Sequence, residues 1–322
     1  MNLKPTIADV AKEAGVSTGT VSRVINARDG VKQVTRDNVL AAMERLNYRP
    51  DQAARELALG GPLRVGLHIS AATKRLTPFF TLFLEYLMVQ LRTDGYLLED
   101  IASQDDGMPA DICDAMVLFG SHEDDPRIDY LLQQGVPTVL LGVAQGVRWV
   151  APDDYGGGRL ATEHLLRLGH QDIAHVSGLM HAQAFFNRYA GYQDALRDAL
   201  GETAQPLLLE GDTSSLGGYR TVRRALEAGV NFSAVFAASD ELAVGVIGAL
   251  EDAGLRVPTD VSVVGFDDLP EIGEALTTVR QDLREIASMT VTLLKEALSG
   301  ASVRSQVMPV RLIVRGTTTR RR

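Results

Sequence analysis

Residues 6–26 read Thr6-Ile7-Ala8-Asp9-Val10-Ala11-Lys12-Glu13-Ala14-Gly15-Val16-Ser17-Thr18-Gly19-Thr20-Val21-Ser22-Arg23-Val24-Ile25-Asn26. The spacing predicts two short helices crossing at a steep angle. Ala11 is small enough for a close crossing, Gly15 supplies the turn, and Ser17 caps the second helix. Ile7, Val10, Val16, Val21 and Val24 fill the shared core, and a third helix follows with Val39, Met43 and Leu46 on one face and Thr35 near its start. In a unit of this kind the second helix lies in a DNA major groove. Thr18, Gly19 and Arg23 then face base edges, Arg23 having the fork that bonds both acceptors of a guanine. Thr20, Ser22 and Asn26 suit phosphate contacts. The competing reading is a small three-helix unit with no nucleic-acid role, which uses the same residue types at the same spacing.

Outward from that stretch, the charge distribution agrees with a DNA-binding head on an acidic body. Residues 1–60 carry nine Lys and Arg against seven Asp and Glu, although the 322-residue chain has a net charge of −9. Such a balance argues against a protein that coats nucleic acid with its whole surface. The length suggests two or three domains with real cores. No apolar run is long enough to span a bilayer, and Met1–Thr6 lacks the apolar run of a signal peptide. A single cysteine, Cys113, fits a reducing cytoplasm.

After Ala58-Leu59-Gly60-Gly61-Pro62, a joint by composition, short apolar runs alternate with amphipathic segments. The strand-like runs are 64–69, 96–101, 115–119, 138–141, 173–176, 206–209, 234–236 and 261–264, rich in Val, Leu and Ile as buried parallel strands are. Helices between them end at Gly169 and Gly254. The alternation predicts βαβ units in open parallel sheets, which bind ligands at the carboxyl ends of their strands. The link between the second and third runs, 102–114, reads as helix-free.

Several motifs in order resemble the lactose-repressor (LacI/GalR) family of bacterial transcription regulators. They are 6–26, Asn47–Gly60, Gly169-His170 before Ile173-Ala174, Arg188-Tyr189-Ala190-Gly191-Tyr192, Val263–Asp268, Thr277–Gln281 and Leu312–Thr317. The resemblance implies an α/β chain: a three-helix helix-turn-helix head (1–50), a hinge helix and linker (51–62), and a periplasmic-binding-protein-like body (63–322). The body would hold two doubly wound parallel-sheet subdomains, about 63–152 with 282–306 and about 153–281 with 307–322. Asp51 would cap a hinge helix that forms when two copies meet over the operator centre. There Leu57 would wedge into the minor groove and Ala54 lie against its floor; Leu57 packing a linker onto the body is the alternative. Thr6, Ser17, Thr35 and Tyr48 complete the candidate DNA-binding set.

The same resemblance implies a small-molecule effector in the cleft between subdomains, with Phe79, Arg188, Asp240, Asp267 and Gln281 as candidate contacts. Arg188 suits vicinal hydroxyls or a carboxylate, and Asp240 has a second reading as the cap of the helix that starts there. The departures are Ser239 where the family commonly has Asn, Thr213 where several members have an aromatic ring, with Phe185 or Phe186 as substitutes, and the missing crossover helix at 102–114. Without that helix, apolar surface near Met116 and Leu118 would be exposed or covered by a neighbour. The expected function is a repressor, controlled by a sugar or sugar derivative, that binds pseudo-palindromic double-stranded operator DNA as a homodimer through helices near 82–91 and 242–254. A tetramerising extension, a cofactor, a metal, a membrane partner and catalysis are not expected, since HExxH and paired cysteines are missing and no GxSxG forms a strand-to-helix elbow. The alternatives are a sugar-transport solute-binding protein and a regulator with a purine-type corepressor.

Overall fold

A computed structural model describes residues 5–25, 31–46, 48, 62–70, 73, 75–120, 124–201, 204–270, 272 and 275–321. Asn26, Ala54, Leu57 and the expected hinge helix lie outside the described residues. The head consists of α1 (Ile7–Ala14), α2 (Thr18–Ile25) and α3 (Gln33–Arg45). Thr6 and Asp9 form a reciprocal cap at the start of α1, the Thr6 amide donating to Asp9 at 2.7 Å. Gly15 ends α1 at φ 67°, a left-handed conformation that costs glycine nothing. The Ser17 hydroxyl accepts from the Thr20 amide at 3.1 Å and so caps α2. Val10, Val21, Val24, Val39 and Ala42 are completely buried, with Ala11 at the crossing.

Two six-stranded sheets form the body. The first lobe contains β1 (Arg64–Ile69), α4 (Pro78–Thr93), β2 (Leu97–Asp100), β3 (Ala115–Phe119), α5 (Pro126–Gln133), β4 (Thr138–Leu141) and β5 (Arg148–Pro152). Its sheet order is β11-β5-β4-β3-β1-β2, all parallel, with β11 (Gln306–Met308) returning late in the chain. The second lobe contains α6 (Asp154–Arg167), β6 (Ile173–Ser177), α7 (Gln183–Leu200), β7 (Leu207–Glu210), α8 (Ser215–Glu227), β8 (Ala234–Ala237), α9 (Asp240–Asp252), β9 (Ser262–Asp267) and β10 (Thr277–Gln281). α10 (Leu283–Leu298) packs on the first lobe, and β12 (Val310–Ile313) closes the second sheet antiparallel to β10, in the order β12-β10-β9-β8-β6-β7. Among the described residues no helix is long and apolar enough to cross a membrane.

The apolar runs anticipated as strands form strands with ends shifted by up to three residues, the largest shift being at β9, which runs on to Asp267, and β5, β10, β11 and β12 add to them. These four are short, and each contains Arg or Gln at the ladder, which hides them from a search for apolar runs. Residues 102–114 contain no helix; a bridge between Ser103 and Pro109 folds the segment back on itself. The expected exposure of Met116 and Leu118 is corrected. Both are fully buried, under Ile101 and Cys113 from the loop's two ends and Ile128 and Leu131 of α5.

Among the described residues the lobes interpenetrate around Leu269. Leu269, two residues past β9 of the second lobe, is buried in the first lobe's core with Phe80, Phe83 and Ile286, and Ile272 packs against the cores of both lobes. Two further contacts join the lobes among the described residues. Arg75 makes a bidentate ion pair with Glu241 on α9, Nη1 donating to Oε2 at 2.9 Å. The Gln183 side chain accepts from the Val143 amide at 3.0 Å and donates to the Val143 carbonyl at 3.3 Å.

Candidate functional site

In each sheet the strand order reverses once, between β1 and β3 and between β6 and β8. At such a reversal the flanking helices leave to opposite faces and a crevice opens beyond the carboxyl ends of the strands. In the second lobe that edge carries Ser177, Ala238 and Asp267.

Arg188, on α7, reaches this edge with a side chain 7% exposed. Its Nε donates to Asp154 Oδ1 at 2.8 Å, Nη2 lies 2.8 Å from the same oxygen, and Nη1 donates to the Ala238 carbonyl at 2.6 Å. Asp267 Oδ1 lies 3.8 Å from Nη1. The guanidinium is 3.7 Å from the centre of the Phe266 ring and 5.8 Å from that of Phe185. Stacking on one face and bonding along its edge leave it a single orientation. Backbone packing sets its position: a Cβ at Gly158 would overlap the Arg188 carbonyl, and one at Gly191 the Tyr155 carbonyl. Glycine at 158 and 191 therefore lets α6 and α7 touch backbone to backbone. The glycine-rich run 156–158 lies in the first turns of α6, as a helix start rather than a phosphate loop.

Asp267 sits at φ 126°, a region that L residues rarely adopt and that strain at functional sites commonly occupies. The Gln281 amide donates to Asp267 Oδ1 at 2.6 Å, while Gln281 Oε1 is buried without a partner. Burial pushes the Asp267 carboxyl well above the usual carboxylate range, against the pull of Arg188. Asp154 is also raised by burial, with Arg188 opposing. Both shifts express the cost of holding charge away from water.

Arg188, Asp267 and Gln281 thus meet in one group. Asp240 lies one layer behind: Oδ1 accepts from the Thr278 hydroxyl at 2.6 Å and Oδ2 from the Leu269 amide at 2.9 Å. Burial raises its pKa to about 6. The cap of α9 is Ser239, whose hydroxyl accepts from the Leu242 amide at 3.2 Å, and not Asp240. Phe79 belongs to the opposite lobe, half-buried in the first turn of α4 against that lobe's core. Thr213 and Phe185 crowd Gly178, where a Cβ would lie 2.6 Å from Thr213 Cγ2 and 3.0 Å from the Phe185 ring. Phe185 therefore stands beside Thr213 over the Arg188 group, and Phe186 is exposed.

Sequence reasoning missed Asp154. The signal was the pair Asp153-Asp154 at a helix start, which reads as capping; Asp153 does cap α6, and the second carboxylate turns to Arg188.

In the head, Thr18, Gly19 and Arg23 are exposed along α2, and Thr20 and Ser22 are half-buried beside them. Thr6 and Ser17 are engaged in the helix caps described above, and Thr35 and Tyr48 are half-buried.

Residues 6–51 match the bacterial regulatory proteins of the lacI family, and residues 162–318 a periplasmic binding protein-like domain. The chain is 34% identical over 330 residues to the HTH-type transcriptional regulator CelR of Thermobifida fusca, covering 97% of this chain and 96% of that protein. A solved complex of a transcriptional regulator CelR with cellobiose superposes with a TM-score of 0.71 at 32% identity, over 97% of this chain and 99% of that one. A lac repressor dimer bound to operator and the anti-inducer ONPF superposes at 0.69 with 30% identity, over 98% and 100%.

Proposed function

Because this chain belongs to the lacI family of bacterial regulatory proteins, we propose that it is a cytoplasmic homodimeric repressor whose grip on operator DNA is set by an uncharged sugar held at Arg188. The head, 1–50, reads one half-site of a pseudo-palindromic operator. Thr18, Gly19 and Arg23 face bases, and Thr6, Ser17, Thr20, Ser22, Asn26, Thr35 and Tyr48 serve the backbone. The linker 51–62 brings Ala54 and Leu57 to the operator centre, and the body, 63–322, dimerises and holds the effector. One small head makes few base contacts, so specific affinity requires two.

The observation that carries the effector reading is that the Arg188 guanidinium is already paired. Asp154 neutralises it, Asp267 adds a second buried carboxyl group 3.8 Å away, and Asp240 a third one layer behind. A carboxylate or phosphate on the ligand would meet those groups with no free positive charge to offset its desolvation. Hydroxyls suit the site, since they donate to Asp267 and to the unpartnered Gln281 Oε1. Sugar binding by the CelR of the cellobiose complex supports the same class, and Phe185 offers an apolar face for a pyranose ring.

The test is thermal-shift screening of neutral sugars, sugar phosphates, uronic acids and purines, followed by fluorescence anisotropy on genomic duplex fragments with and without each hit. Stabilisation by a neutral sugar that also changes DNA affinity is the expected result. Stabilisation only by purines or only by anionic ligands overturns it.

A further inference from the structure

We propose that Ser177 is an additional effector-contact residue, its hydroxyl bonding a ligand hydroxyl in the crevice between β6 and β8. This rests on the sugar reading above and names a specificity determinant for it.

Strand register fixes the position. Val176 pairs with Ala237 and Phe236 with Val264, so one step from the first pair and two from the second place Ser177, Ala238 and Phe266 in one row across the sheet. Neighbouring strands are about 4.8 Å apart. The Arg188 guanidinium spans that row, stacking on Phe266 and donating to the Ala238 carbonyl. Ser177 is therefore the next strand's residue beside Arg188, on the far side of Ala238 from Asp267. Its side chain shares a face with His175, two residues earlier, whose ring stacks on Tyr192 of α7. That is the face from which Arg188 approaches.

Ser177 Oγ is completely buried and has no hydrogen-bond partner, and Gln281 Oε1 is in the same condition on the other side of the Arg188–Asp267 pair. Buried hydroxyls are nearly always bonded, so an orphan at the mouth of a strand-order reversal points to a ligand atom. The chain above it is tight: Gly178 is hemmed by Thr213 and Phe185, which leaves the strand edge at Ser177 as the side from which a ligand would reach the hydroxyl.

The experiment is isothermal titration of the full chain with D-ribose, D-glucose and cellobiose, then with monodeoxy forms of whichever binds most tightly, on wild type and Ser177→Ala. The expected result is binding about tenfold or more weaker in Ser177→Ala, no fall in melting temperature because only an unpaired group is removed, and equal affinity of the two proteins for one monodeoxy sugar. Equal binding of the parent sugar by both proteins overturns the assignment of Ser177. A weakened affinity accompanied by a lowered melting temperature and no convergence on any deoxy sugar also overturns it, in favour of a packing role. If wild type binds no neutral sugar, the effector class proposed above fails, and the assignment fails with it.

Discussion

Arg188 Nε donates to Asp154 Oδ1 at 2.8 Å and Nη2 lies 2.8 Å from the same oxygen, at a point where both side chains are under one-tenth exposed. Removing one partner leaves the other charge buried and alone, which costs about 3–5 kcal/mol. Arg188→Met should therefore lower unfolding free energy by that order in urea titration, and Arg188→Met with Asp154→Leu should recover most of it. A single-variant loss below about 1 kcal/mol would mean that water reaches the pair.

Acid should destabilise the body through its buried histidines. Burial holds His175 down at about 3 and His68, with Arg127 adding repulsion, at about 4. Both are neutral in the folded chain while the unfolded chain takes up protons near pH 6.5, so the unfolded state binds more protons and stability falls as pH drops from 6.5 toward 4. Asp240 works in the opposite sense: its folded pKa of about 6 favours the folded state as pH falls from 6 toward the unfolded value. His175→Phe, which keeps the stack on Tyr192, should flatten the decline by a few kcal/mol. Urea midpoints at pH 7.5, 6 and 4.5 give the slopes, and an unchanged slope would show His175 to be solvated.

Gly158→Ala and Gly191→Ala each force a methyl into a facing backbone carbonyl across the α6–α7 contact. Overpacking of this kind costs about 1–3 kcal/mol, a fall of several degrees in melting temperature. Because α7 carries Arg188, sugar affinity should weaken in both variants. Calorimetric scans that match wild type would contradict the close approach.

Arg23→Ala on the exposed face of α2 should cost about 1–3 kcal/mol of operator affinity and relax discrimination at one position of each half-site. Anisotropy with operator variants at two salt concentrations separates this from a phosphate contact, which would weaken all sequences alike and lower the salt slope.

Arg75→Gln removes the bidentate pair with Glu241 between the lobes. The Arg75 side chain is 44% exposed, so the pair is screened and contributes only about 0.2–1 kcal/mol. Sugar affinity should drop by a factor of about two to five and lose part of its salt dependence, with an unchanged melting temperature. Identical affinity at low salt would rule out a role for this contact in closing the cleft.

The head and the doubly wound sheets were legible because each rests on local pattern: Gly15 and Ser17 at a helix turn, and apolar runs such as 115–119 between helices. Arg188, Asp267 and Gln281 were found through motif resemblance and meet in space. Asp154 and Ser177 were not legible, for one physical reason. Each resembles a residue with a local job, a cap or a strand end, and only the register of β6 against β8 and the contact of α6 with α7 bring it to Arg188. The covering of Met116 and Leu118 was likewise invisible, since it depends on how the 102–114 loop folds back and where α5 lands.

Leu269 follows the second lobe in sequence but is anchored in the first. A tooth seated in the opposite body resists separation, because pulling the halves apart would strip apolar surface into water, whereas a turn about it would expose less. Asp267 lies two residues from this fulcrum, where rotation displaces atoms least. The acidic end of the site therefore lies beside the seam where the halves are pegged together, so whatever is held there sits next to the point about which any change of angle would have to turn.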